Sequence, residues 1–167
     1  VGTVSGTAIS FGTAVVFVSA QAGSNIGATF DSNSNKVVIA YEDQGNSSYG
    51  TAIVGTVSGT AISFGTSVVY ESASVEYTSA TFDSYLNKVV IAYKDPGNSN
   101  YGTGIQGTVS GTSISFGTAV VFESANTEYI RATFDSNANR AVFAYQDGGN
   151  SYYGTGVTFG STASTDV

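Results

Sequence analysis

Tyr77 and Tyr129 each follow a glutamate, Glu76 and Glu128, inside polar stretches of the chain. A second group is Asp-x-Gly-Asn-Ser with a tyrosine two residues later. It occurs as Asp43, Asn46 and Tyr49, again as Asp95, Asn98 and Tyr101, and again as Asp147, Asn150 and Tyr153. Tyrosines beside acids and amides suit carbohydrates, because a ring covers the apolar face of a pyranose while carboxylates and amides bind its hydroxyls. The bland reading competes. Asp-x-Gly-Asn-Ser is also turn chemistry, with Asp and Asn bonding local backbone and Gly taking positive φ. Its recurrence favours turn formation over ligand contact, and packing is likewise the simpler role for Tyr77 and Tyr129. Asp31, Asp83 and Asp135 each close a Thr-Phe-Asp string. They are candidate oxygen ligands for Ca²⁺, but capping a hairpin turn explains them more simply, and no metal site or cofactor is expected.

Catalytic chemistry finds little to work with. The chain has no His and no Cys. Zinc sites, Ser-His-Asp and Cys-His arrangements and disulfides therefore have no residues to form from. Paired carboxylates can hydrolyse glycosides. Most of the Asp residues recur once per repeat, however, which suits structure better than one asymmetric site. Glu42 and Glu71 show no accompanying apolar pocket signal. The string "GTVSGT" is rich in Gly but lacks the Lys of a phosphate loop. The expectation is a protein that is not an enzyme.

Charge narrows the partners. Only 10% of residues are charged, and the formal net charge is −7. The five basic residues, Lys36, Lys88, Lys94, Arg131 and Arg140, are scattered. Nucleic acid and anionic membrane surfaces both need clustered Lys/Arg. No apolar run is long enough to span a bilayer. The hydrophobic fraction of 41% argues against disorder despite 21 Gly.

The elements that must position these residues come in repeats. "GTVSGTAISFGT" starts at Gly2 and Gly55, and "GTVSGTSISFGT" starts at Gly107. "ATFDS" keeps step at Ala28, Ala80 and Ala132. We read one repeat domain over 1–167, with repeats at about 1–53, 54–105 and 106–159 and a divergent tail at 160–167. Each repeat reads as four strands. The first ends in Thr-Phe-Asp; the second is the apolar run Lys36–Asp43, expected to be covered on both faces. The third is Tyr49–Val57, and the fourth is a single strand over Ala61–Tyr70. In the first repeat Ile9, Phe11 and Phe17 point one way and Ala8, Ser10 and Ala14 the other. A sheet with one large face and one small face can stack on a copy of itself. Pro96 falls in a predicted loop, and no helical period is found.

Four-stranded units that stack face to face are β-propeller blades. Three are too few for a closed ring, so the expectation is part of a larger or oligomeric ring, with self-association or further repeats as partners. The alternative is a pseudo-threefold β-trefoil or β-prism, against which stand the long fourth strand and the absence of Trp. The chain contains no Met and begins at Val1 with a string that recurs internally, so a processed product or a piece of a longer array is expected.

The strings "GTVSGTAISFGTAVVF", "SATFDS", "NKVVIAY" and "YGTAIVGTVSG" resemble a tandem β-repeat family of marine phage and environmental bacterial sequences. The family occurs in long arrays, often in predicted tail-fibre or surface proteins. The resemblance implies a structural or display role at an extracellular or virion surface, with lectin-like glycan binding as the alternative. "YEDQGNSSY" is also similar to the Asp-box turn of sialidases and related propellers, without its Trp. In the propeller arrangement the loops after the second and fourth strands share one end, and any binding surface is expected there.

Overall fold

A computed structural model describes residues 2–23 and 25–160. The fold is all-β. Among the described residues there is no α-helix, so none long and apolar enough to cross a membrane. The strands are β1 (Gly2–Ser5), β2 (Ala8–Phe11), β3 (Gly27–Asp31), β4 (Lys36–Asp43), β5 (Tyr49–Ser58), β6 (Ala61–Phe64), β7 (Val68–Ser74), β8 (Glu76–Asp83), β9 (Lys88–Asp95), β10 (Tyr101–Ser110), β11 (Ser113–Phe116), β12 (Val120–Asp135), β13 (Arg140–Asp147) and β14 (Tyr153–Phe159). They form an isolated two-stranded ribbon, β1–β2, and sheets of five and seven strands.

The repeats appear as antiparallel meanders. In the first, β3, β4 and β5 lie side by side, and both β6 and β7 pair with β5. The second runs β8, β9, β10, with β11 and the start of β12 on β10. In the third, the end of β12 pairs with β13, and β13 with β14. β12 thus ends one meander and begins the next, which joins two repeats in one seven-stranded sheet.

The fourth strand differs from its sequence expectation. It is two strands, broken at 65–67 and 117–119. Both breaks fall at the glycine of Ser-Phe-Gly-Thr, and at Gly65 the bend brings the backbone so close to the next repeat that any side chain would run into the Thr112 carbonyl. The backbone leaves the sheet there but keeps a hydrogen bond from Gly65 N to the Val54 carbonyl, 2.9 Å.

Burial follows the period-two pattern. Val89, Ile91 and Tyr93 of β9 enter a core shared with Val38, Ala40, Ala52 and Val54 of the first repeat. The alternate residues Val90 and Ala92 enter a second core with Phe143 and Tyr145 of the third. Hence β9 is buried along nearly its whole length, and its apolar run is explained by two covered faces. At each junction small residues of one repeat receive large residues of the next. The rings continue the stack: Phe17 lies 5.1 Å from Tyr41, Tyr70 lies 5.3 Å from Tyr93, and Phe122 lies 5.3 Å from Tyr145.

Candidate functional site

The two polar groups of the sequence lie at one end of the stack, built by different elements. Asp43, Asp95 and Asp147 end the second strands and cap short 3-10 turns. Their carboxylates accept from Gly45 N (3.0 Å), Asn98 N (3.1 Å) and Gly149 N (2.8 Å). Asn46, Asn98 and Asn150 close those turns and are exposed. The following serines take left-handed backbone, with φ 57° for Ser47 and 53° for Ser151. These Asp groups therefore spend a carboxylate oxygen on local backbone. Tyr49 and Tyr101 are half-buried at the start of the third strand, and Tyr153 is exposed.

The turns lean on the segment that joins fourth strand to first. A side chain at Gly97 would meet Ala73 Cβ at 2.7 Å, and one at Gly149 would meet Ala125 Cβ at the same distance. This contact brings the second group alongside. Tyr77 and Tyr129 occupy equivalent positions near the start of β8 and within β12. Each sits at a bulge where pairing shifts register, between Glu76 and Ser79 and between Glu128 and Arg131. Their backbones are left-handed, φ +51° and +53°. That conformation costs a non-glycine residue roughly 1–2 kcal/mol, so the bulge is held by its surroundings. The two rings meet, with centroids 5.1 Å apart and planes at 51°, and Tyr77 also packs half-buried against the second core.

Charged groups frame the pair. Lys94 Nζ is 3.0 Å from Glu76 Oε2 and 5.6 Å from the Tyr77 ring centroid. Asn126 Nδ2 donates to Glu128 Oε1 at 3.0 Å. Burial, followed by the Glu128 carboxylate, holds the Tyr77 phenol above its usual range. Tyr129 is 60% exposed. Two aromatic faces, two carboxylates, an amide and a cation thus gather on one surface, the kind of set that binds polyhydroxylated ligands.

Sequence reasoning missed a polar cleft of about 320 Å³ beside this pair, between the starts of β3 and β8 and lined in part by Thr78, Ser79 and Arg131. Its signal lies in one position: Arg131 stands where the other repeats carry Gly27 and Ser79. The hydroxyl of Ser79 accepts from Ala132 N at 3.0 Å and so ties the inner strands of two repeats together.

Asp31, Asp83 and Asp135 lie elsewhere, at the turns that follow the first strands. Asp31 accepts from Asn33 N and Ser34 N, Asp83 from Tyr85 N and Leu86 N, and Asp135 from Asn137 N and Ala138 N. Among the described residues, no three carboxylates converge as they would to hold a metal ion. Ser34 also donates to Asp31 Oδ2 at 2.7 Å. Leu86 stands at the corresponding place in the second repeat, and Asp83 Oδ2 is buried without a partner. Glu71 and Glu123, on the fourth strands, accept from the hydroxyls of Tyr93 and Tyr145, each at 3.0 Å.

Compared with known proteins, the chain matches no family model, no curated protein and no solved structure.

Proposed function

We propose that the chain is a non-catalytic structural and display module, a set of β-propeller blades that contributes to a larger ring. The observation that carries this reading is the repeated junction, in which the small face of one repeat takes the large face of the next. Repeats joined in that way add length and rigidity, and they carry their variable loops at one end. β8 packs beside both β3 and β12, which supports an arc of inner strands around an axis. The family resemblance supports an extracellular or virion-surface setting, with self-association or further repeats as the partners. Electron microscopy of the purified chain tests the reading. Ring-shaped particles with a central axis are expected; linear beaded rods or compact threefold particles would contradict it.

A second reading rests on the Tyr77–Tyr129 pair. Two touching rings at unfavourable φ beside Glu76, Lys94 and Glu128, with Tyr129 exposed, favour a lectin-like site, made effective by multivalency. A glycan array probed at high module density decides it. Binding that is lost in Tyr77→Ala and Tyr129→Ala variants that still fold supports the site; no binding to any glycan removes it.

A further inference from the structure

Residues 15–21 and the edge of β14 are complementary, and the geometry points to a specific pairing between two copies: residues 15–21 of one add as a strand to the β14 edge of the other. The proposal rests on the stacked-repeat reading and names its partner.

The acceptor edge is visible from what its counterparts carry. In the first two repeats the third strand is covered by a fourth. A side chain at Gly50 would meet the Tyr70 ring at 2.5 Å, and one at Gly102 the Phe122 ring at 2.6 Å. Gly154 holds the same position in β14, and nothing described lies within 4 Å of it. Thr51 and Thr103 are buried, at 2% and 3% exposure, whereas the corresponding Thr155 is only half-buried. On the sheet face, Ala40 and Ala92 are both fully buried, while Ala144 is exposed. Among the described residues, then, the third repeat presents both an open edge and an open small face.

The donor is the matching half. "GTAVVF" occurs twice, at 12–17 and at 117–122. In the second copy, Val120–Phe122 belong to β12 because they pair with β10. In the first copy none of the six residues is in a strand, and Val16 is 78% exposed. One hexapeptide in two states shows that the partner, and not the local sequence, makes the strand. Phe17 already stacks on Tyr41 within its own chain, just as Phe122 stacks on Tyr145. Its counterpart Phe122 also covers Gly102, on the third strand of its own meander, whereas no described glycine has the Phe17 ring among its nearest neighbours. The large face of the donor's first repeat then falls on the small face of the acceptor's third.

The internal pairings fix the register. Gly50, Thr51 and Ala52 oppose Glu71, Val69 and Val68; Gly102, Thr103 and Gly104 oppose Glu123, Val121 and Val120. By the same spacing Gly154 opposes Val18, Thr155 opposes Val16, and Gly156 opposes Val15 of the other copy. By the repeat spacing Gly2 and Thr3 of the donor correspond to Phe159 and Gly160, places the acceptor already fills, so the pairing uses 15–21 and not the β1–β2 ribbon.

The chain has no cysteine, which makes the register directly testable by disulfide trapping. Val16→Cys and Thr155→Cys are made in separate chains, checked for folding by circular dichroism, mixed and mildly oxidised. Opposed residues of paired strands have Cα atoms about 4.5–5.5 Å apart, within disulfide reach. A covalent heterodimer of twice 17.0 kDa is expected. Val15→Cys mixed with Thr155→Cys should give little, because alternate residues face opposite sides of the sheet. Equal trapping of both mixtures would overturn the register. No trapping while the native mass still shows two chains would overturn this docking and leave the ring reading intact. A stable single chain would overturn both.

Discussion

Gly65 and Gly117 stand in the same string, Ser-Phe-Gly-Thr, and are predicted to respond oppositely to alanine. At Gly65 the added methyl runs into the backbone carbonyl of Thr112 and comes within 2.9 Å of Thr112 Cβ. Neither atom can turn away as a flexible side chain would, so the first and second repeats must separate. Overpacking of this kind costs about 1–3 kcal/mol, and contact with fixed backbone puts Gly65→Ala toward the upper end. At Gly117 the nearest atom to the methyl is the Gln106 carbonyl oxygen at 3.8 Å, and φ lies outside the left-handed region. Gly117→Ala should therefore stay within about 0.5 kcal/mol of the parent. Urea unfolding followed by circular dichroism reads the difference. With m of about 2 kcal/mol/M, Gly65→Ala should lower the midpoint by about 1 M, while Gly117→Ala barely moves it. Equal shifts for the two, or no shift for Gly65→Ala, would refute the claim that repeats are locked at this glycine.

Removing the Ser34 hydroxyl leaves Asp31 Oδ2 as unpartnered as Asp83 Oδ2 already is; Ser34→Ala should cost about 1–3 kcal/mol in the same urea assay, whereas Ser136→Ala, at an exposed position beside the exposed Asp135, should cost little. Burial is the main cause that pushes the Tyr70, Tyr93 and Tyr145 phenols well above their usual range. The folded chain then keeps protons that an unfolded phenol releases near pH ~10, so stability is full below that pH and falls as pH rises above it; absorbance titration should show these three ionising only on unfolding. At Tyr129, with φ +53°, glycine relieves backbone strain that alanine retains, so Tyr129→Gly should be more stable than Tyr129→Ala by about 1 kcal/mol, measured by thermal melts.

Much of the fold was legible because the repeat prints it three times. The apolar run expected to have two covered faces, Lys36–Asp43, has them only in part, since Val37 and Ile39 of β4 stay half-buried, whereas its counterpart β9 is covered on both. The strand-break was not legible: "SFGTSVV" alternates without interruption, and the bend at Gly65 recurs at Gly117 whether or not a neighbouring repeat lies against the glycine. The state of residues 12–17 was likewise illegible, since an identical string is a strand elsewhere. At the candidate site, the turn chemistry of Asp43, Asp95 and Asp147 followed from residue type alone. The meeting of Tyr77 with Tyr129 did not, because it depends on two bulges and on the packing of separate repeats. Arg131 entered the polar cleft unannounced, as a single departure from an otherwise small position.

The central claim is that the repeats stack through one junction and that residues 15–21 of one copy pair with the β14 edge of another. Native mass in solution, by light scattering over a range of concentrations, tests it most directly. The account predicts a discrete particle of twice 17.0 kDa that persists on dilution. A well-folded particle of one chain at every concentration would contradict it.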